Sequence, residues 1–212
     1  MGKLQNGILG NFKGSVGPIM GSSWLGREYI KTRNRQTNKP ASSGQLVQRA
    51  KFLVLTRFIS AIGKLVNLSF KDSSLQITGR NIAFQYHYLN AITGAYPDYA
   101  LDYTKVLVSR GKLLTVSNPT AGASGNGFVQ FKWTDNSGIP MANAADRCVA
   151  VVYCPELNKA IYTTEGAHRS AGGYSINAWF FTGKTVETWL AFISADKVDF
   201  ATSVYTGRLV VV

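Results

Sequence analysis

Beyond Gly111 the sequence breaks into seven short runs rich in β-branched and aromatic residues, at 113–116, 128–133, 148–153, 160–164, 174–178, 186–194 and 204–212. Turn formers stand between them: Asn118-Pro119, Gly122 through Gly127, Asn136-Ser137-Gly138 and Gly172-Gly173. Runs this short end before a helix of ordinary length is complete, and their spacing predicts antiparallel strands stacked as two sheets. The expected architecture is a β-sandwich of the immunoglobulin or fibronectin type III kind. The inter-sheet disulfide of antibody domains is missing, because Cys148 and Cys154 fall on one predicted strand with its outer loop. Six residues of extended chain span about 20 Å, whereas bonded Cα atoms lie about 5.5 Å apart, so both thiols are expected to be free.

The middle of the chain follows a different period. From Gln45 to about Val66, Leu46, Val47, Ala50, Val54, Leu55, Phe58, Ala61, Ile62 and Leu65 recur at steps of three and four, which predicts an amphipathic helix. Ser42 with Gln45 has the spacing of a capping box. Arg49, Arg57 and Lys64 fall within an arc of about 80° away from the apolar stripe, either as the wet side of the helix or as part of a basic face. A second helix is expected from Asn81 to about Thr93, with Gly94 at its C′ position and Pro97 preventing continuation. The segment Tyr96 to Tyr103 then reads as a turn, Asp98 satisfying its amides, that leads into a strand at 105–109.

Charge is concentrated at the start. Residues 1–80 hold thirteen Lys or Arg against Glu28 and Asp72, a balance of +11, while residues 81–212 hold ten bases and nine acids, a balance of +1. Glycines at 7, 10, 14, 17, 21 and 26 disfavour a helix there, each costing about 1 kcal/mol, and Pro18 adds to that. Extended pieces with glycine turns are expected instead. They form an arm that lacks a core of its own and lies either on the rest of the chain or on a neighbouring subunit, through Phe12, Ile19, Trp24 and Tyr29. From Arg27 to Arg35 the alternation places Arg27, Tyr29, Lys31, Arg33 and Arg35 on one strand face. With Lys39 and the helix cations Arg49, Arg57 and Lys64, these are the candidate polyanion-binding residues; a solvated surface accounts for the same pattern.

The residues that carry enzyme chemistry are sparse. His87 sits between Tyr86 and Tyr88, where a structural role is expected, and His168 lies beside Arg169 in a predicted loop. Two histidines and two unclustered cysteines give no zinc spacing. The run Gly122-Ala123-Ser124-Gly125-Asn126-Gly127 has Asn126 where a nucleophile elbow needs glycine, and no Gly-Lys-Ser/Thr follows for a phosphate loop. No catalytic residue, metal site or cofactor is expected.

The N-terminal pattern Met1-Gly2-Lys3-Leu4-Gln5-Asn6-Gly7-Ile8-Leu9-Gly10 with Gly21-Ser22-Ser23-Trp24 does resemble a known family. So do Gln48-Arg49-Ala50-Lys51-Phe52, Asn90-Ala91-Ile92-Thr93-Gly94, Tyr96-Pro97-Asp98-Tyr99, Val108-Ser109-Arg110-Gly111 and Phe192-Ile193-Ser194-Ala195-Asp196. The chain is similar to an uncharacterised bacterial family of about the same length, a domain of unknown function. The resemblance covers essentially the whole chain and implies one conserved unit, with no activity attached. Similar proteins carry a basic residue directly after the tryptophan; here Leu25-Gly26 intervene before Arg27.

The expected organisation is mainly β (α+β): a basic glycine-rich arm at 1–43, a helical segment at 44–95 and a β-sandwich at 96–212. The expected function is a non-enzymatic structural or interaction subunit, by analogy a virion- or prophage-type component, with protein partners. The alternative is a non-specific nucleic-acid-binding protein using the cations of residues 1–80. No stretch reaches the roughly 18 apolar residues of a membrane span and no secretory signal is visible, so synthesis in the cytoplasm is expected, with a released assembly equally compatible.

Overall fold

The structure, a computed structural model, describes residues 3–4, 12–24, 26–33, 39–71 and 76–212. The chain divides into two compact units, Met1–Ser42 and Ser43–Val212.

The first unit is an antiparallel sheet of β1 (Lys3–Leu4), β2 (Phe12–Val16), β3 (Ile19–Trp24) and β4 (Arg27–Thr32), in that order. The expected extended pieces are thus paired with one another. Gly17, at φ +57°, and Pro18 make the turn between β2 and β3, and the Arg33 amide donates to the Pro18 carbonyl at 2.8 Å. Gly21 faces Gly14 across the strands, and a Cβ there would lie 1.9 Å from the Phe12 carbonyl oxygen, so the approach of β2 to β3 requires glycine.

The second unit begins with α1 (Ser43–Ala61) and α2 (Gly63–Ser69), which replace the single predicted helix. The axis bends by 87° between them. The apolar period runs on through the break, which is why the sequence conceals it, but Ile62 leaves helical geometry at φ −113°, ψ 20° and Gly63 is a poor helix former. α3 (Gly79–Asn90) starts at the Thr78 cap, whose Oγ1 accepts from the Asn81 amide, and stops three residues before the expected end. Gly94 is therefore not a helix cap. At φ +87° it belongs to the hairpin β5 (Ile92–Ala95) and β6 (Asp98–Leu101). Asp102, rather than Asp98, satisfies a turn amide, accepting from the Thr104 N–H at 3.2 Å.

Two further predicted strands are corrected. Residues 105–109 form no ladder; after a short 3-10 turn at Tyr103–Lys105, the amides of Val108 and Ser109 donate to the Ser203 hydroxyl, and the Ser109 hydroxyl donates to the Ala201 carbonyl. Serine side chains thus take the place of strand neighbours, and Val106 and Val108 are buried all the same. Residues 113–116 hold only an isolated bridge, Leu113 to Ala201. The strand is β7 (Ser117–Ala123), which contains the Asn118-Pro119 pair taken as a turn. Proline is tolerated because β7 is an edge strand and its register shifts between Ser117 and Thr120.

The remaining strands are β8 (Phe128–Thr134), β9 (Arg147–Cys154), β10 (Lys159–Thr163), β11 (Gly173–Asn177), β12 (Thr185–Ile193) and β13 (Val204–Val210). They form one sheet in the order β11-β8-β7 and another in the order β10-β9-β12-β13. Val129, Phe131, Trp133 and Ile176 of the first sheet bury against Cys148, Ala150, Val152, Leu190 and Phe192 of the second, which is the sandwich core. The opposite side of the four-stranded sheet is covered as well: Val149, Val151, Tyr153, Trp189 and Ala191 pack with Phe58, Ile59, Ile62, Leu65 and Val66 of the helices. The helices are thus a third layer sharing a core with the sandwich. This explains the contrast between β8, which alternates exposed and buried residues, and β9 and β12, which are buried almost throughout.

Candidate interaction surfaces

In β4 the strand pleat puts Arg27, Tyr29 and Lys31 on one face, as expected, and all six residues of the strand are exposed. Arg33 and Lys39 are also exposed, and Arg35 lies outside the described residues. Among the expected anchors, Phe12 is half-buried, Ile19 is at the margin of exposure, and Trp24 and Tyr29 are 53% and 47% exposed. Val16, a further apolar residue of the expected arm, and Ile30, which sequence reasoning did not single out, are exposed in the same sheet. Gly21 is the one buried residue among those described in this unit.

The helix cations do not share one arc. Arg49 and Arg57 lie on α1, whereas Lys64 lies on α2 beyond the bend, although all three are exposed. Lys51 stands over the rings of Tyr88 and Tyr99, at 5.8 and 5.2 Å from their centroids, and Arg80 donates to the Ser60 hydroxyl. Phe52 of α1 meets Phe84 of α3 with 4.8 Å between ring centroids, yet remains 57% exposed.

A third surface lies at one end of the sandwich. Strand directions bring together there the β7–β8 turn, the β9–β10 turn, the segment between β11 and β12, and the end of β13. The Gly127 amide donates to the Val212 carbonyl, and the Ala178 amide to that of Gly127. Trp179 and Phe180 of a 3-10 turn and Phe128 are exposed at this end, with the Lys159 ammonium 4.8 Å above the Phe180 ring centroid. The Trp179-Phe180-Phe181 run between two predicted strands was the available signal, and only Phe181 is buried.

The buried polar groups are tied into the scaffold. Arg169, fully buried, meets Asp146 at 3.0 Å, donates to the Asn136 side chain and the Leu114 carbonyl, and lies 3.9 Å over the Phe192 ring. Glu187 of β12 accepts from the Tyr205 hydroxyl at 2.5 Å and from Arg208 Nε at 2.7 Å. Burial, with Glu187 nearby, pushes the Tyr103 hydroxyl up to about 12. Burial also pushes the Cys148 thiol far above its ordinary range, which leaves it un-ionised and unreactive at neutral pH. Both cysteines are free and buried. Among the described residues, no group of three or more His, Cys, Asp or Glu is placed to hold a metal ion, and no single helix is long and apolar enough to cross a membrane.

With β10 paired to β9 instead of β11, the three-plus-four split is that of a fibronectin III-like sandwich, carrying in addition a helical layer on its larger sheet. Among solved structures the chain is similar to the fn3 domain of the human collagen alpha-1(XX) chain, at 11% identity and TM-score 0.33, over 47% of this chain and 85% of that one. The strand order stands on its own pairing and takes nothing from that likeness. The chain belongs to a family of unknown function, DUF6266, whose model matches residues 11–207. No curated protein matches it.

Proposed function

We propose that the protein is a non-enzymatic structural or interaction subunit, by analogy a virion- or prophage-type component, whose N-terminal sheet is completed by a neighbouring copy of the chain. The observation that carries this reading is that, among its described residues, the sheet has no buried hydrophobic face within its own unit. A small sheet needs a buried hydrophobic face to be stable, but Val16, Trp24, Tyr29 and Ile30 are all exposed. By strand register Val16, Ile19 and Ile30 share the face opposite Arg27, Tyr29 and Lys31, and burying that face against a partner contributes up to roughly 1.5–3 kcal/mol per side chain. Residues 43–212 contain both buried clusters, so a chain starting at Ser43 keeps its core. Size-exclusion chromatography with light scattering of the full and shortened chains tests the proposal. A larger species is expected from the full chain only, and a Val16→Ser, Ile30→Ser full-length variant behaves like the shortened one. Monomeric elution of both chains refutes it.

The cationic face Arg27, Tyr29, Lys31 favours a second reading, non-specific nucleic-acid binding. If about five phosphates are neutralised on a duplex, log K falls with a slope near −4.5 against log salt, and Arg27→Ala with Lys31→Ala reduces that slope by up to about two. Absence of binding at about 50 mM salt removes this reading.

A further inference from the structure

From Ser43 to Pro97 the sequence holds six Lys or Arg and a single acid, Asp72. Among the described residues, none of Arg49, Lys51, Arg57, Lys64 and Arg80 has a carboxylate partner. The same layer exposes large apolar side chains: Phe52 at 57%, Leu53 at 51%, and Leu46, Leu68, Ile77 and Leu89 besides. Exposed apolar groups ringed by charge of one sign are uncommon on a face that meets only water, where they gain nothing from burial and the cations repel one another.

The apolar groups also shape the surface. Between α1 and α3 lies a cleft of about 340 Å³, walled by Phe52, Thr56, Phe84 and the Arg80 side chain. On the other flank of the same Phe52–Thr56 ridge is a second cleft, of about 430 Å³, lined by Gln48, Arg49 and Leu53. Phe52 and Thr56 are one helical turn apart, so they form a ridge with a hollow on each side, the relief into which side chains at three- and four-residue spacing fit.

We infer that the α1–α3 face is a docking site for an acidic amphipathic segment of a partner protein, which lays apolar side chains into the two clefts beside Phe52 and sets Asp or Glu against Arg49 and Arg80. Charge selects the occupant. Residues 1–42 carry seven bases and one acid, so the N-terminal unit of a second copy is repelled from this face. The hollows select further, since a flat lipid surface fills neither. The inference is independent of the reading of the N-terminal sheet, which involves other residues.

The test uses the full chain and a fluorescein-labelled synthetic helix of about 15 residues with Leu at i, i+4, i+7 and i+11 and Glu elsewhere, followed by anisotropy at about 50 mM salt. A peptide of the same composition with its leucines scattered is the control. Saturable binding of the patterned helix is expected, at least about 10-fold tighter than the control and weakened about 10-fold or more by Phe52→Ser and by Arg49→Glu with Arg80→Glu. Leu53→Ser, a second exposed position, gives the same direction and guards against a folding defect in the first variant. No binding, equal binding of the scattered control, or insensitivity to Phe52→Ser and Leu53→Ser overturns the inference. Tighter association with phosphatidylserine vesicles or a single-stranded oligonucleotide than with the patterned helix, itself lost in Phe52→Ser and Leu53→Ser, overturns it as well.

Discussion

His87 of α3 makes the stability of the fold depend on pH in a direction its geometry dictates. The Leu107 amide donates to Nε2 at 3.2 Å, so that nitrogen carries no proton, and Nδ1 is therefore the N–H that donates to the Ala83 carbonyl at 2.6 Å. The ring is fully buried among Phe58, Phe70 and Tyr86, with centroids 5.8, 6.1 and 5.3 Å away. A second proton would set Nε2–H against the Leu107 N–H where no water reaches. Burial is the main cause holding the folded pKa below its ordinary 6.5, and the Ala83 bond opposes it without reversing it. The unfolded chain therefore takes up a proton near 6.5 that the folded chain refuses. Stability from this residue is complete above that pH and declines as pH falls from 6.5 toward the folded value, by up to about 1.4 kcal/mol per pH unit. Between pH 7 and pH 5 the loss is bounded at about 2 kcal/mol, and it levels off where the folded form itself takes up the proton. Urea denaturation followed by circular dichroism, on the wild type and on His87→Gln across that range, isolates it. Glutamine keeps a donor and an acceptor but does not titrate, and the carboxylate contributions common to both chains cancel. A steeper fall for the wild type is expected; parallel pH profiles would refute the assignment of the tautomer and of its cost.

Two other substitutions have defined outcomes. Asp146→Leu leaves the Arg169 guanidinium buried without its counter-ion and is expected to cost about 3–5 kcal/mol, whereas Arg169→Met with Asp146→Leu removes both charges and recovers a substantial part of the loss in a thermal double-mutant cycle completed by Arg169→Met alone. Additive single and double effects would show that the pair is not coupled. Gly127→Ala places a Cβ 2.5 Å from the Trp179 Cα at a residue with φ +75°, so it should cost more than about 1 kcal/mol in denaturant melts and shift the emission of Trp179; an unchanged melt contradicts the close approach.

How far the sequence discloses this structure depends on which force sets each segment. β8 is legible because one of its faces meets water and the side chains alternate accordingly. β9 and β12 are legible as strands, but their nearly continuous burial also announced a layer on the far side of their sheet, a sign that a count of turns passes over. β7 is hidden because edge position excuses Pro119, and edge position is decided by the whole fold. The chain at 105–109 is apolar enough for a strand, yet the Val108 and Ser109 amides donate to the one hydroxyl of Ser203, 95 and 94 residues away, which no local pattern encodes. The exposure of the cations was readable from their spacing. The grouping of Arg49 and Arg57 with Lys64 was not, because it assumed a straight axis through Ile62-Gly63. Trp179 and Phe180 escaped because an aromatic run inside a β-rich region resembles core until the turn that ejects it is known.

The placement of the four tryptophans gives the molecule a set of internal optical reporters. Trp133 and Trp189 are enclosed, their indole N–H groups bonded to the Arg169 and Val106 carbonyls, so they emit at short wavelength and stay out of reach of acrylamide. Trp24 and Trp179 face solvent and are open to the quencher, one in the leading sheet and the other at an end of the sandwich. Replacing either of that outer pair with phenylalanine leaves a single accessible emitter, so occlusion of the leading sheet and of the sandwich end can be followed separately with no dye attached.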